Sequence, residues 1–400
     1  MKKIIKACNI LLPNAYADYE KWAVVACDQY TSEEEYWQHL RSYIDEPSSL
    51  DLIFPEVYLN KIDLDNKIKY INKNMDLLLQ DNFFSEYKNS FILVERKVNG
   101  FDRFGLVCAI DLDAYDFDPN KKALIRATEK TVVERLPIRT KIRKNASLEL
   151  SHILVLISDE KKEIIEKLKQ ERYSFKQLYS FELNMNGGYI YGYLINDKDT
   201  KDYINSKLND LISDNLLALV GDGNHSLASA KMHWENIKKN LSKEKQENHK
   251  ARYALVELEN IFDEGLHFEP IHRIIYNVGD NFLKAFKENI KGESKSIVYN
   301  GDKIEYININ NNAIEAIKEI QDFLDDYLSK NDNISIDYIH GEENLKKIAL
   351  EKNAIGIIMP RIKKEEFFEY VKENGILPRK TFSLGEANEK RYYLEARKIK

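Results

Sequence analysis

Apolar positions along this chain fall into short runs bounded by turn residues, separated by longer stretches with helical spacing. The short runs predict strands and the spaced stretches predict helices. Residues 22–27 read as a strand, followed by a helix over 33–42 with Ser32 as its N-cap. Another helix is expected over 65–80. Residues 91–98 and 104–110 predict a hairpin, because Asn99-Gly100 suits a type I′ turn. Residues 125–143 carry Arg126, Arg135, Arg139 and Arg143 with Glu129 and Glu134, a spacing that fits a charged helix face stitched by i,i+4 pairs. Strands follow at 152–157, 173–181, 189–195 and 252–258, with helices at 159–170 and 201–213. Beyond residue 279 strands and helices continue to alternate. The chain is therefore expected to be mixed α/β: an anion-binding region over 1–250, then a second α/β lobe over 251–400 whose tail near 391–395 returns to the core.

One stretch organises the rest. Leu216 to Val220 is an apolar strand, Gly221-Asp222-Gly223-Asn224-His225 is a tight loop, and a helix is expected from about Ser226. The first turn of a helix has unpaired N–H groups and the positive end of the macrodipole, so an anion is favoured there. Gly221 and Gly223 allow a sharp turn and close approach to a ligand. Asp222 and His225 add a carboxylate and an imidazole. A plain strand-to-helix turn capped by Ser226 is the competing reading.

Asp28, at the end of the strand over 22–27, is either a functional carboxylate or a turn residue bonding local amides. Cys27 reads as a small buried hydrophobe. The acidic run at Asp111, Asp113, Asp116 and Asp118 fails as a calcium loop, since Lys122 stands where a bidentate Glu belongs. His267, Glu269, His272 and Arg273 flank Pro270 without helical His spacing, and read as a fixed turn beside a cleft rather than a metal site. Three cysteines, odd in number and without metal spacing, suit reduced thiols in a cytoplasmic protein. The beginning reads as a mature N-terminus rather than a signal peptide. A net charge of -6 with no sustained basic block argues against nucleic acid, and no apolar run approaches membrane-spanning length. Oligomeric state is left open.

Three stretches together resemble one family. Residues 22–32, the Gly221-to-Ala228 segment, and residues 268–273 with 378–381 are similar to the bacterial family known as domain of unknown function 1015, and the likeness spans nearly the whole chain. Arg126-Ala127-Thr128-Glu129 with Thr131 and Arg135 resembles its arginine-glutamate segment. The family's Asp-Gly-His-His-Arg element is similar to the phosphate turn of the ParB and sulfiredoxin superfamily, whose members bind nucleotides there and some of whose relatives phosphorylate free serine. Asp222, Gly223 and His225 take the places of the Asp, Gly and second His. Asn224 replaces the first His and Ser226 the Arg, so Arg126, Arg135 or Lys380 would have to supply the missing charge.

The resemblance implies a ParB/sulfiredoxin-like core and phosphoryl transfer between ATP or ADP and a hydroxylated metabolite such as serine. Gly221, Gly223, Asn224 and Ser226 would hold phosphate, with Arg126, Arg135 and Lys380 as clamps. Asp222 would hold Mg²⁺ or orient the acceptor, and His225 would contact the transferred group. Glu129 is the first choice of base and Asp28 the second. A phosphoamino-acid phosphatase and a non-enzymatic nucleotide-binding or anion-binding module are the alternatives.

Overall fold

The structure, a computed structural model, describes residues 3–131, 136–279, 281–331 and 333–400. It divides into two units: residues 1–266 with 387–400, and residues 267–386. The boundary is not at 250, because the strand that begins at Tyr253 is central to the first unit.

That unit is built on a mixed sheet. The long hairpin Phe84–Val98 (β1) and Phe101–Asp111 (β2) turns at Asn99 and Gly100, both with positive φ, as a type I′ turn requires. Then come Ile125–Arg126 (β3), the helix Leu136–Asn145 (α1), Leu154–Ile157 (β4), Ala218–Asp222 (β5), the helix Asn224–Lys238 (α2) and Tyr253–Asn260 (β6). Their spatial order is β3-β5-β4-β6-β2-β1. β3 runs parallel to β5 and β4 parallel to β6, while the other neighbours are antiparallel. Side-chain alternation sends Phe91 and Leu93 into one apolar cluster and Ile92 and Val94 into another, so both faces of the sheet are covered. α2 lies on the first cluster through Leu227, Ala230 and Trp234, spaced as one helix face and almost fully buried. Burying a large apolar side chain such as Leu227 contributes roughly 1.5–3 kcal/mol.

The second unit has its own sheet around Phe268–Tyr276 (β7), which pairs with Ser335–His340 and Ile355–Ile357. Residues 268–273 are thus part of a strand and not a turn. Pro270, which has no N–H to donate, sits where β7 pairs with Phe382–Leu384. Helices Asn281–Asn289, Ala313–Ser329, Glu342–Glu351 and Lys364–Asn374 complete the unit.

After this excursion the chain rejoins the first unit, where Tyr392–Tyr393 (β8) pairs with Val24–Val25. Trp22 is not in that strand. It closes the helical turn Tyr19–Trp22, whose N-cap Asp18 accepts the amides of Glu20 and Lys21. The next helix, Glu34–Tyr43, follows Glu33 without a side-chain cap, so Ser32 does not cap it. No described helix is long and apolar enough to cross a membrane.

Candidate functional site

The Gly-rich loop is a strand-to-helix turn as its residues predict, with the cap one turn earlier than Ser226. β5 ends at Asp222, Gly223 takes a left-handed conformation at φ 79°, and α2 begins at Asn224 with no side chain capping its first turn. A β-carbon on Gly223 would stand 3.0 Å from Ile153 Cγ1, so both conformation and space require glycine. Asp222 Oδ1 accepts the Gly223 amide at 2.8 Å, and Oδ2 lies 3.5 Å from Lys390 Nζ. Asn224 is 8% exposed and turned inward: its Oδ1 accepts the Thr128 amide at 3.2 Å. The Thr128 hydroxyl donates to the Val220 carbonyl at 2.6 Å. This stitch follows from the parallel pairing of β3 with β5, whose register continues residues 127–129 alongside the last residues of β5. Glu129, next in the chain, is half-buried, as is His225 in the first turn of α2.

The arginines fall differently from the sequence expectation. Arg126 donates to the Ala123 carbonyl at 2.9 Å and the Asn215 carbonyl at 3.3 Å, and so ties two loops together. Arg135 lies outside the described residues. Lys380 belongs to the second unit and is exposed there. The guanidinium that reaches the loop comes from Arg139. α1 packs on α2, and Arg139 donates to Ser226 Oγ, at the position where the family's element has an arginine. Its other nitrogen pairs with Glu56 and lies 3.6 Å from Asp28 Oδ2.

Around that arginine a polar cluster assembles from distant parts of the chain. The turn after Val24–Val25 presents Asp28, whose Oδ1 accepts from Gln29 Nε2 at 3.1 Å. Asp28 Oδ2 stands 3.4 Å from His152 Nε2, and Ser226 Oγ approaches the same nitrogen at 3.5 Å. On the other side of the ring, Tyr393 Oη is 2.8 Å from Nδ1 and 3.1 Å from Cys27 Sγ. Glu56 is held close by its amide, which donates to the Cys27 carbonyl at 2.8 Å. His152 is 3% exposed, whereas the Asp28 side chain retains 22% of its surface, enough for a small ligand to touch.

Burial by itself raises the Asp28 pKa. The charge and hydrogen bond of His152 and the charge of Arg139 overcome it and hold the carboxyl well below the usual range. Burial pushes the Cys27 thiol up to about 12, so Cys27 is no nucleophile. Nor is Ser226. In a Ser-His-Asp triad the carboxylate and hydroxyl sit on opposite ring nitrogens. Here they share Nε2 and Tyr393 takes Nδ1.

Asp222 is the carboxylate the sequence offers to Mg²⁺. One of its oxygens is engaged by an amide and the other faces an ammonium. Among the described residues no three His, Cys, Asp or Glu converge on one point. Magnesium is usually held by one or two carboxylates together with water and phosphate oxygens, and Asp222 offers one carboxylate here, already beside Lys390.

The profile of the family described as "Protein of unknown function (DUF1015)" matches residues 11–327. The chain belongs to the DUF1015 family. No curated protein matches this DUF1015 chain. Among solved structures, a free serine kinase in complex with AMP is similar at 13% identity and TM-score 0.40, covering 73% of this chain and 92% of that one. C-terminally truncated SbnI from Staphylococcus aureus is similar at 10% identity and TM-score 0.35, covering 70% and 82%. A conserved hypothetical protein from Pyrococcus furiosus is similar at 13% identity and TM-score 0.33, covering 72% and 90%.

Glu56, Arg139, His152, Tyr393 and Lys390 were not singled out by sequence reasoning. Arg139 was visible as one of several arginines. Nothing in residue spacing links His152 to Tyr393, 241 positions away.

Proposed function

We propose that this DUF1015 protein transfers a phosphoryl group between a nucleotide and a small hydroxylated metabolite such as serine. The observation that carries the reading is that His152 and Arg139, both beside Asp28, converge on Ser226 in the first turn of α2. An anion-favouring helix start and an ionised, partly exposed carboxylate are thereby neighbours, which is what phosphoryl transfer needs. The resemblance of the loop to the ParB/sulfiredoxin phosphate turn supports the same reading.

In this reading the amides at the start of α2 take the phosphate oxygens, with Gly221 and Gly223 keeping the backbone open to them. The acceptor hydroxyl hydrogen-bonds to Asp28. Its oxygen bonds to phosphorus as the bond from phosphorus to the nucleotide's leaving oxygen breaks, and its proton passes to Asp28. A base with so low a pKa takes the proton late, in keeping with a loose transition state. His152 and Arg139 hold Asp28 in place, and Tyr393 fixes the imidazole. His225 is assigned to the transferred group and Glu129 is the reserve carboxylate. Asn224 and Arg126 are spent on structure and are given no contact with phosphate. No step runs through a resident magnesium; a nucleotide arrives with its own ion on its phosphates.

The test is ³¹P NMR of the protein with ATP or ADP and free serine, alongside calorimetry with each nucleotide. Phosphoserine should form, and Asp28→Asn should slow it by about 10²–10⁴-fold while nucleotide binding persists. Binding without turnover would favour the anion-binding module, and phosphoserine cleavage without nucleotide would favour the phosphatase. Absence of both binding and turnover would end the reading.

A further inference from the structure

Two residues beyond Asp28, Tyr30 has a backbone φ of 51°. For a bulky aromatic residue this left-handed conformation is a genuine outlier, open without strain to glycine and tolerated by asparagine and aspartate. Strain of this kind persists only where the surroundings over-determine it, and it gathers at functional sites. The Gln29 amide donates to the Ala26 carbonyl at 3.0 Å, and the Glu33 amide donates to the Tyr30 carbonyl at 3.1 Å. Two tight turns therefore follow one another, with Tyr30 at their junction. The first carries Asp28, and the second leads into the helix Glu34–Tyr43.

The Tyr30 ring lies flat on that of Tyr36, with 3.8 Å between centroids and 14° between planes. Tyr36 belongs to the first turn of that helix and meets Trp37, 1% exposed, edge-on at 5.4 Å. The ring pair thus ties the strained residue to a helix anchored in the core. Ahead of Asp28 the chain is fastened by its backbone. The Ala26 amide donates to the Arg391 carbonyl at 3.0 Å, and the Cys27 carbonyl accepts the Glu56 amide at 2.8 Å. Asp28 is therefore held from both sides, by backbone pairing before it and by the Tyr30 stack after it.

We infer that Tyr30 is a positioning residue for Asp28: its ring, stacked on Tyr36, holds the left-handed turn that sets the carboxylate against His152 and Arg139. Tyr30 touches no substrate in this assignment and acts only through Asp28. Its part in turnover rests on the phosphoryl-transfer reading, whereas its hold on the carboxylate does not.

Carbon-13 NMR titration of the side-chain carboxylates in the full chain, with the rate of phosphoserine formation beside it, tests the inference. Tyr30→Phe keeps the stack and should leave both as in the parent. Tyr30→Asn accepts the backbone conformation but removes the ring. The Asp28 carboxyl, held well below the usual range in the parent, should then titrate near its ordinary value of about 3.9. The kcat should fall about tenfold or more with the nucleotide KM within about twofold of the parent, because slight misplacement of a reacting group is costly. A merely structural tyrosine would lower the melting temperature and leave the Asp28 titration of the folded protein unmoved, and that result overturns the inference. So does a Tyr30→Phe protein as impaired as Tyr30→Asn, which would assign the effect to the hydroxyl. If Tyr30→Asn does not fold, Tyr36→Leu removes the other ring and is read in the same way. A parent without turnover ends the phosphoryl-transfer reading, and the titration still decides the role of Tyr30.

Discussion

Asp28 Oδ2 lies 3.4 Å from His152 Nε2, although the two residues are far apart in the chain and belong to different elements. The carboxyl is held well below its ordinary pKa because the histidine and Arg139 outweigh the cost of burying it. A group whose folded pKa is depressed adds stability above its unfolded value, about 3.9 for Asp, and loses it as pH falls further. The stability gap between the parent and Asp28→Asn should therefore be constant from pH 7 to about 5 and narrow below about 4. Thermal melts of both proteins across that range measure it. A gap that does not depend on pH would mean the carboxylate is not specially held.

Arg139 is the next test. It joins Ser226, Glu56 and Asp28, with 18% of its side chain exposed. Arg139→Met would leave two carboxylates facing each other with no cation between them. Removing one partner of a fully buried pair costs about 3–5 kcal/mol, and at this partial exposure the loss should be about 2–3 kcal/mol. Adding Glu56→Gln should recover part of it. Urea unfolding of the three proteins gives the answer, and a single variant as stable as the parent would show the cluster to be energetically idle.

The parts of this architecture legible in the sequence were those governed by neighbours in the chain. The Asn99-Gly100 hairpin, the strand ending at Asp222 and helices such as Asn281–Asn289 follow from local spacing and turn chemistry. Trp22 read as part of a strand because its apolar neighbours hid a single helical turn, which depends on the Asp18 cap. The site was legible only in fragments. Asp28 and the Gly221-to-Ser226 loop carry recognisable chemistry, but Arg139 becomes a partner of Ser226 only because α1 packs on α2. Likewise Tyr393 reaches His152 only because β8 pairs with Val24–Val25. Arg126 looked like a clamp for want of any local sign that it bonds the Ala123 and Asn215 carbonyls.

Gly223 joins the strand to α2 at φ 79°, with Ile153 Cα 3.1 Å from where a β-carbon would sit. An L-residue in the left-handed region costs about 1–2 kcal/mol, and the contact with Ile153 adds to it. Gly223→Ala should therefore destabilise the chain by roughly 2 kcal/mol. It should also weaken pyrophosphate binding, because the first amides of α2 must shift to relieve the crowding. Urea midpoints and calorimetry on one sample follow both effects. Normal stability with intact binding would show that the loop does not depend on this conformation.

Each unit also holds a histidine kept neutral by burial. His233, 8% exposed, is lowered to about 4, first by desolvation and then by the charge of Arg143. His272, 4% exposed, is lowered to about 4 chiefly by desolvation, and its Nδ1 accepts the Met359 amide at 3.1 Å. In the unfolded chain both take a proton near pH 6.5. Between about 6.5 and about 4 the unfolded state therefore binds protons that the folded state refuses, and stability must fall as the solution is acidified. Each ring can contribute up to about 1.4 kcal/mol per pH unit in that window. Histidine NMR of the folded protein decides the matter ring by ring: both imidazoles should remain neutral at pH 5.5. A ring already half-protonated near pH 6.5 would remove its share of the acid sensitivity, and Met359 would then face a nitrogen that can no longer accept its amide.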